Sequence, residues 1–309
     1  MSGRVITVTG PVEPSSLGIT DAHNHVWIDP PVGAAPDVPA LREYDAIAAE
    51  LNDYCTAGGG AQVDCQPGGC GRDGDRLRAL SIHSRVFIVA STGFHLQRYY
   101  PPDAAIWMMN ADQVAAFFLA EIRDGLEETR GEQPVYPGLI KIAVYGTPLE
   151  SPMSLVEAAG QVSKASGLAI AMHTERGQGV EHYLEFFVRQ GLSPRRLIFC
   201  HVDKRPDFGL HRELAQAGAL LEYDTFYRPK YHPEKYLWPL IDAMVQAGLQ
   251  TQVALATDLA DARLWQHIGC GPGIARFASE IPARLRALDI NEEAISGLIG
   301  GNIARQLAI

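Results

Sequence analysis

Four histidines, a lysine and an aspartate follow one another along this chain, each ending or interrupting a short apolar run. His23 and His25 close Gly18-Ile19-Thr20-Asp21-Ala22-His23-Asn24-His25, and Lys141 interrupts Gly138-Leu139-Ile140-Lys141-Ile142-Ala143-Val144. His173 ends Ala169-Ile170-Ala171-Met172-His173, His201 ends Leu197-Ile198-Phe199-Cys200-His201, and Asp258 ends Val253-Ala254-Leu255-Ala256-Thr257-Asp258. Neutral imidazole and carboxylate are ligands for Zn, Mn, Co or Fe(II), with zinc the first expectation. Residues two apart on a strand project to one face, so His23 and His25 can reach one ion, and His173 and His201 can hold a second. Two divalent ions about 3.5–4 Å apart stabilise a bridging hydroxide and polarise the substrate oxygen it attacks. An ammonium cannot ligate a cation, so Lys141 is an ordinary charged residue elsewhere, or neutral, or chemically modified. The free amine can take up CO2 to become a carbamate, an anionic bridge. Asp258, last in order, is placed to ligate the first ion and to act as the catalytic base that takes the hydroxide's proton. One histidine at a strand end is more often a hydrogen-bonded core residue than a ligand. Six suitable residues in sequence carry the reading.

These side chains meet only if their runs are parallel strands that end together. Strand-like segments fall near 19–25, 61–65, 86–91, 138–144, 168–173, 196–201, 218–223 and 252–258, eight in number. Amphipathic stretches separate them: 154–166, 180–190, 210–217 and 233–247, with Gly167, Gly191, Gly218 and Gly248 suited to C-caps. Eight βα units predict an α/β chain folded as a (β/α)8 barrel with its active site at the C-terminal strand ends; an open mixed sheet is the alternative. At 309 residues and 47% hydrophobic content, residues 1–309 form one expected domain.

The motifs Asp21-Ala22-His23-Asn24-His25, Leu139-Ile140-Lys141-Ile142-Ala143, Met172-His173-Thr174-Glu175, Phe199-Cys200-His201-Val202-Asp203, Ala256-Thr257-Asp258 and Gly301-Asn302-Ile303-Ala304-Arg305 span nearly the whole chain. As an ordered set they resemble the phosphotriesterase family of the amidohydrolase superfamily. The resemblance implies a distorted (β/α)8 barrel, with His23, His25 and Asp258 on one metal, His173 and His201 on the other, and carboxylated Lys141 bridging both. It also implies hydrolysis of lactones and phosphotriesters, and pairing into homodimers, which is frequent in the family. Two departures stand out: Ile303 replaces the family's usual proline, and the loop Asp64–Arg72 is unusually rich in glycine.

The basic loops point to the substrate. Arg176 follows the fifth strand, Lys204-Arg205 the sixth, and Arg228-Pro229-Lys230-Tyr231-His232 the seventh. Guanidinium, ammonium and phenol groups together form a pocket for phosphate or carboxylate; the alternative is rim ion pairing with Asp203, Asp207, Asp224 or Glu222. Lys204-Arg205-Pro206-Asp207 with Arg228-Pro229-Lys230-Tyr231-His232-Pro233-Glu234 resembles the branch that opens phosphorylated five-membered sugar lactones. In that branch Lys204, Arg228 and Tyr231 would hold the phosphate, aided by Arg176 and Lys230. The expected reaction is opening of an aldono-1,4-lactone by hydroxide bridging two metals. A phosphotriester, a neutral or acyl-homoserine lactone, or noncatalytic binding on the same barrel are the competing readings.

A formal charge of −10 argues against a nucleic-acid or anionic-membrane partner and leaves a small anionic substrate as the expectation. Residues 1–10 lack the apolar core of a secretory signal and no run is long enough to span a bilayer, so the expected location is cytoplasmic. The five cysteines lack framework spacing and read as reduced thiols. His83, His182, His211 and His267 read as surface groups, whereas His95 and His232, on predicted active-site loops, are minor candidates for substrate contact. Trp107, Met108 and Met109 read as a packed loop anchor before a lid.

Overall fold

The computed structural model describes residues 3–309. Eight parallel barrel strands run in sequence order: β1 (Ile19–Asn24), β2 (Gly59–Asp64), β3 (Phe87–Val89, resumed past Ala90 as Ser91–Gly93), β4 (Leu139–Val144), β5 (Ile170–Thr174), β6 (Leu197–Cys200), β7 (Leu220–Tyr223) and β8 (Val253–Leu255). The break in β3 turns the sheet: its first half pairs with β2, Ala61 opposite Phe87, and its second with β4, Ser91 opposite Leu139. The fold is a distorted (β/α)8 barrel. Its outer helices are α1 (Tyr44–Thr56), α2 (Gly74–Ser84), α3 (Ala111–Asp124), α4 (Met153–Ser166), α5 (Val180–Arg189), α6 (Phe208–Ala217), α7 (Leu237–Gln246) and α8 (Ala275–Ala287). None of the described helices is long and apolar enough to cross a membrane.

Strand alternation divides the apolar residues into two clusters. Ile140, Ile142 and Val144 face the helices with Ile170, Met172, Phe199 and Leu221. Leu139 faces the barrel interior with Ala169, Ala171, Ile198, Leu220 and Ala254. Lys141 shares the parity of Leu139, Glu222 that of Leu220 and His173 that of Ala171, so the strand pleat sends these polar groups inward. The interior positions are largely alanine, which leaves room for imidazole rings above them. Ile303 fills the barrel floor with Leu17 and Leu307, while Asn302 Nδ2 donates to the carbonyls of Gln250 (2.7 Å) and Val253 (2.6 Å). An apolar residue therefore serves where the family usually has proline.

Among the described residues no backbone ladder joins β8 to β1. The seam is closed by Asp21, which accepts from Thr257 N (3.0 Å) and Oγ1 (2.5 Å), by Asp258 N donating to the His23 carbonyl (2.9 Å), and by Leu259 N donating to Asn24 Oδ1 (3.1 Å). Burial pushes the Asp21 carboxyl up to about 7 against these bonds. The same contacts that close the barrel place Asp258 beside His23.

The glycine-rich loop is held from below. Arg72, buried within it, pairs with Glu121 (2.5 Å) and Glu128 (2.6 Å) and donates to the Ser91 carbonyl (2.7 Å). Gly71 sits at φ 113°, where a Cβ would meet the Asp29 backbone at 3.0 Å, so glycine is required for the close approach. All five cysteines are free thiols.

Candidate active site

The strand ends bring His23, His25, Lys141, His173, His201 and Asp258 together. Lys141 Nζ lies 3.2 Å from His23 Nε2, and His201 Nε2 lies 2.9 Å from His173 Nδ1. Asp258 Oδ1 is 3.9 Å from His23 Nε2 and 3.8 Å from His25 Nε2, and its Oδ2 is 3.8 Å from His201. His201 (φ 65°) and Asp258 (φ 49°) both adopt left-handed backbone conformations, which Asp and His tolerate better than most side chains, at the points where the chain leaves β6 and β8.

Each histidine of the set is oriented by an outer partner. His23 Nδ1 meets Glu222 Oε1 at 2.6 Å, His25 Nδ1 meets Gln66 Oε1 at 2.8 Å, and His201 Nδ1 meets Asp224 Oδ2 at 2.5 Å. His173 uses Nε2 instead, 3.2 Å from Glu175. An oxygen acceptor fixes the proton on the outer nitrogen and leaves the inner nitrogen with its lone pair. Those inner nitrogens converge, together with Asp258. His201 Nε2 and His173 Nδ1 then present lone pairs to the same point of the site, where both could serve one ion. By donor chemistry, the set fits divalent ions. Of two clusters with ligand atoms close enough to share an ion, His23–His25–Asp258 is the expected triad; in the other, Glu222 and Asp224 accompany His23 and His201. Because Glu222 and Asp224 bond the outer nitrogens, they orient the rings.

Electrostatics keeps these groups in coordinating form. Burial, joined by the positive charge of Lys141, lowers the pKa of His23 well below the ordinary imidazole value, and burial takes His25 down to about 4. Burial also lowers His173 and His201. Asp258 is the reverse case: burial raises it, but Arg228, His201 and Lys204 outweigh burial and hold the carboxyl below its usual range. Lys141 is pulled down by burial, yet Cys200, Cys65, Glu222 and Asp258 around it produce a net upward shift. Glu222, buried beside Asp224, is raised well above the ordinary carboxyl value.

A cavity of about 540 Å³ opens on this cluster. Lys204, Arg228 and Lys230 line it as expected, and Arg263 from the loop after β8 joins them. Arg176 and Tyr231 are not on its wall; Arg176 is exposed, and the Tyr231 ring instead lies 5.7 Å from Lys204 Nζ and 5.0 Å from Lys230 Nζ. The rim ion-pair alternative holds in part: Lys204 Nζ is 3.6 Å from Asp224 and 3.8 Å from Asp258, and Arg228 Nη2 contacts both the carboxylate (2.7 Å) and the carbonyl of Asp258.

His211 corrects its surface reading: it is fully buried, with Nδ1 2.7 Å from Tyr223 Oη and Nε2 2.9 Å from the Arg205 carbonyl. Its place on the inward face of α6 opposite β7 overrode the polar-residue prior. His83, His182 and His267 are exposed. His232 is exposed and off the cavity wall, whereas His95 is on it. Trp107 packs edge-on against Phe94 and Tyr100 as a loop anchor, and Met108 is solvent-exposed. Sequence reading missed the orienting roles of Glu222, Asp224 and Gln66. Glu222 carried the signal that marked Lys141, a charge inside an apolar run; Gln66 in its loop carried none.

Residues 3–302 match the family model described as the phosphotriesterase family. The chain belongs to the phosphotriesterase family. Within it, a phospho-furanose lactonase from Mycoplasmopsis synoviae is 27% identical, covering 98% of this chain and 91% of its own. An N-acetyltaurine hydrolase from Rattus norvegicus is also 27% identical, over 98% of this chain and 97% of its own. Among solved structures, a lactonase from Listeria monocytogenes superposes with a TM-score of 0.90 at 23% identity, over 99% of both chains, which establishes the shared fold.

Proposed function

We propose that this chain is a metal-dependent hydrolase that opens a phosphorylated sugar lactone, an aldono-1,4-lactone. The observation that carries this is one cavity lined by His25, His173 and Asp258 of the cluster and by four cations, Lys204, Arg228, Lys230 and Arg263, the last paired with Asp261 at 2.6 Å. The phospho-furanose lactonase relatives support the same reading.

His23, His25 and Asp258 would hold one ion, His173 and His201 the other, and Lys141, carboxylated on Nζ, would bridge them. Zinc suits this donor set first. When bound, two divalent ions supply Lewis-acid polarisation of a carbonyl and lower the pKa of water. The chain's own residues do the rest. Glu222, Gln66, Asp224 and Glu175 lock the imidazole rings. Asp258, kept ionised by Arg228 and Lys204, accepts the attacking water's proton and passes it to the departing ring oxygen. Lys204, Lys230 and Arg263 bind the phosphate, and Arg228 divides its N–H groups between Asp258 and the substrate.

The test is kcat/KM on matched aldono-γ-lactones with and without a 5-phosphate, with N-acetyltaurine, a neutral lactone and a phosphotriester alongside. A preference of about 100-fold or more for the phosphorylated lactone, ~2.7 kcal/mol of differential transition-state binding, is expected. Equal rates on the pair, or turnover confined to another member of the panel, would sink the assignment.

The lowered imidazole pKa values set a second expectation. A ring whose pKa is depressed stays neutral below pH 6.5 and gains its proton only as the pH falls toward the lowered value, about 4 for His25. Ion retention therefore survives through pH 6.5 and fails on further acidification. Metal content after dialysis across a pH series measures it; release centred at or above 6.5 contradicts the burial of the ligand set.

A further inference from the structure

Three histidines reach the cavity wall, and His95 is wired in the opposite sense to His25 and His173. In those two, the outer nitrogen faces Gln66 or Glu175, so the proton sits outward and a lone pair points to the centre. At His95 the backbone N–H of Leu96 donates to Nδ1 at 2.8 Å. A backbone amide can only donate, so Nδ1 holds the lone pair and a neutral ring carries its proton on Nε2. That N–H finds no hydrogen-bond partner among the described residues.

A ring nitrogen bearing a proton is useless to a cation and well suited to an oxygen acceptor. The ring is also held rigidly. Tyr100 Oη accepts from His95 N at 3.0 Å and donates to the Gly68 carbonyl at 3.2 Å, and Tyr99 meets the imidazole edge-on at 4.4 Å between centroids. His95 lies 5.1 Å from His173 and 6.4 Å from His25, ring to ring, so its imidazole borders the histidine–aspartate cluster on the wall of the same cavity. Holding the donor in place before substrate arrives removes an ordering cost from binding.

We propose that His95 is a substrate-binding residue whose Nε2–H donates to the hydroxyl oxygen next to the lactone carbonyl, selecting 2-hydroxylated lactones over their 2-deoxy counterparts. The assignment rests on the lactonase reading above. A neutral donor so placed adds discrimination at the ring that the cationic wall, reading the phosphate, does not provide.

The metal-loaded full chain and its His95→Phe and His95→Gln variants are compared on a 2-hydroxy lactone and its 2-deoxy analogue, with metal content and Tm as controls. His95→Phe is expected to lower kcat/KM on the hydroxylated lactone about tenfold or more and on the deoxy analogue less than about threefold. His95→Gln, whose amide N–H reaches the same region, restores most of the difference. Equal losses on both lactones, no loss on either, or loss of metal along with activity would overturn the proposal. If the wild-type chain opens no lactone, the underlying reading has failed, and nitrogen-15 imidazole spectra of the zinc-loaded wild type with an added aldonate then decide the role of His95. A protonated Nε2 that shifts on addition supports oxygen binding there; a protonated Nδ1, or an unmoved resonance, overturns it.

Discussion

Asp258→Asn will remove most turnover, by about 1,000-fold or more in kcat/KM, while leaving the barrel folded. The side chain is the meeting point of the site: one carboxylate lies within 4 Å of His23, His25, His201 and Lys204 and bonds Arg228. Asparagine preserves its size and tolerates the left-handed backbone at φ 49°, so the seam bond from Asp258 N to His23 O can persist. What disappears is the negative charge that balances Arg228 and that, in the proposed reaction, would ligate the ion and accept a proton. Thermal denaturation and metal content separate the effects. Near wild-type kcat in a variant that still holds metal would remove Asp258 from the chemistry.

Lys141→Met will lower metal content below that of the wild type and take activity with it. Methionine matches the length and apolar stem of lysine inside a site where the residue is fully buried, so packing changes little. Removing the ammonium also takes the counter-charge from buried Glu222 and Asp258, so some loss of stability is expected and Tm is measured beside metal content. Carboxylation is read directly from the intact mass of native wild-type protein, which should exceed the sequence mass by one CO2 in addition to bound metal and lose it on acidification. Two metals per chain in Lys141→Met with wild-type kcat would show that the lysine bridges nothing.

The barrel was legible because its strands are buried on both sides and so read as continuous apolar runs, and because each candidate ligand ends or interrupts one of them. The segment near 138–144 corresponds to Leu139–Val144, and that near 196–201 to Leu197–Cys200. Segment 86–91 hid a turn: Ala90 breaks β3 so that one strand serves two neighbours, and no local residue preference announces it. His211 misled because a histidine on a polar helix looks the same whether its face meets water or β7.

The order of residues along the chain determined the ligand types, their sequence and their shared end of the sheet, since strand parity and strand length are local properties. It could not decide how each ring is turned. That is settled by partners on other strands and loops: Glu222, 199 positions from His23, Gln66, 41 from His25, and Asp224, 23 from His201. Nor could it tell which basic residues face the cavity, because Arg263 reaches the wall and Arg176 does not according to how long loops pack. A hydrogen bond depends on the position of both partners to a fraction of an ångström, and only the closed barrel brings residues some 200 positions apart to that precision.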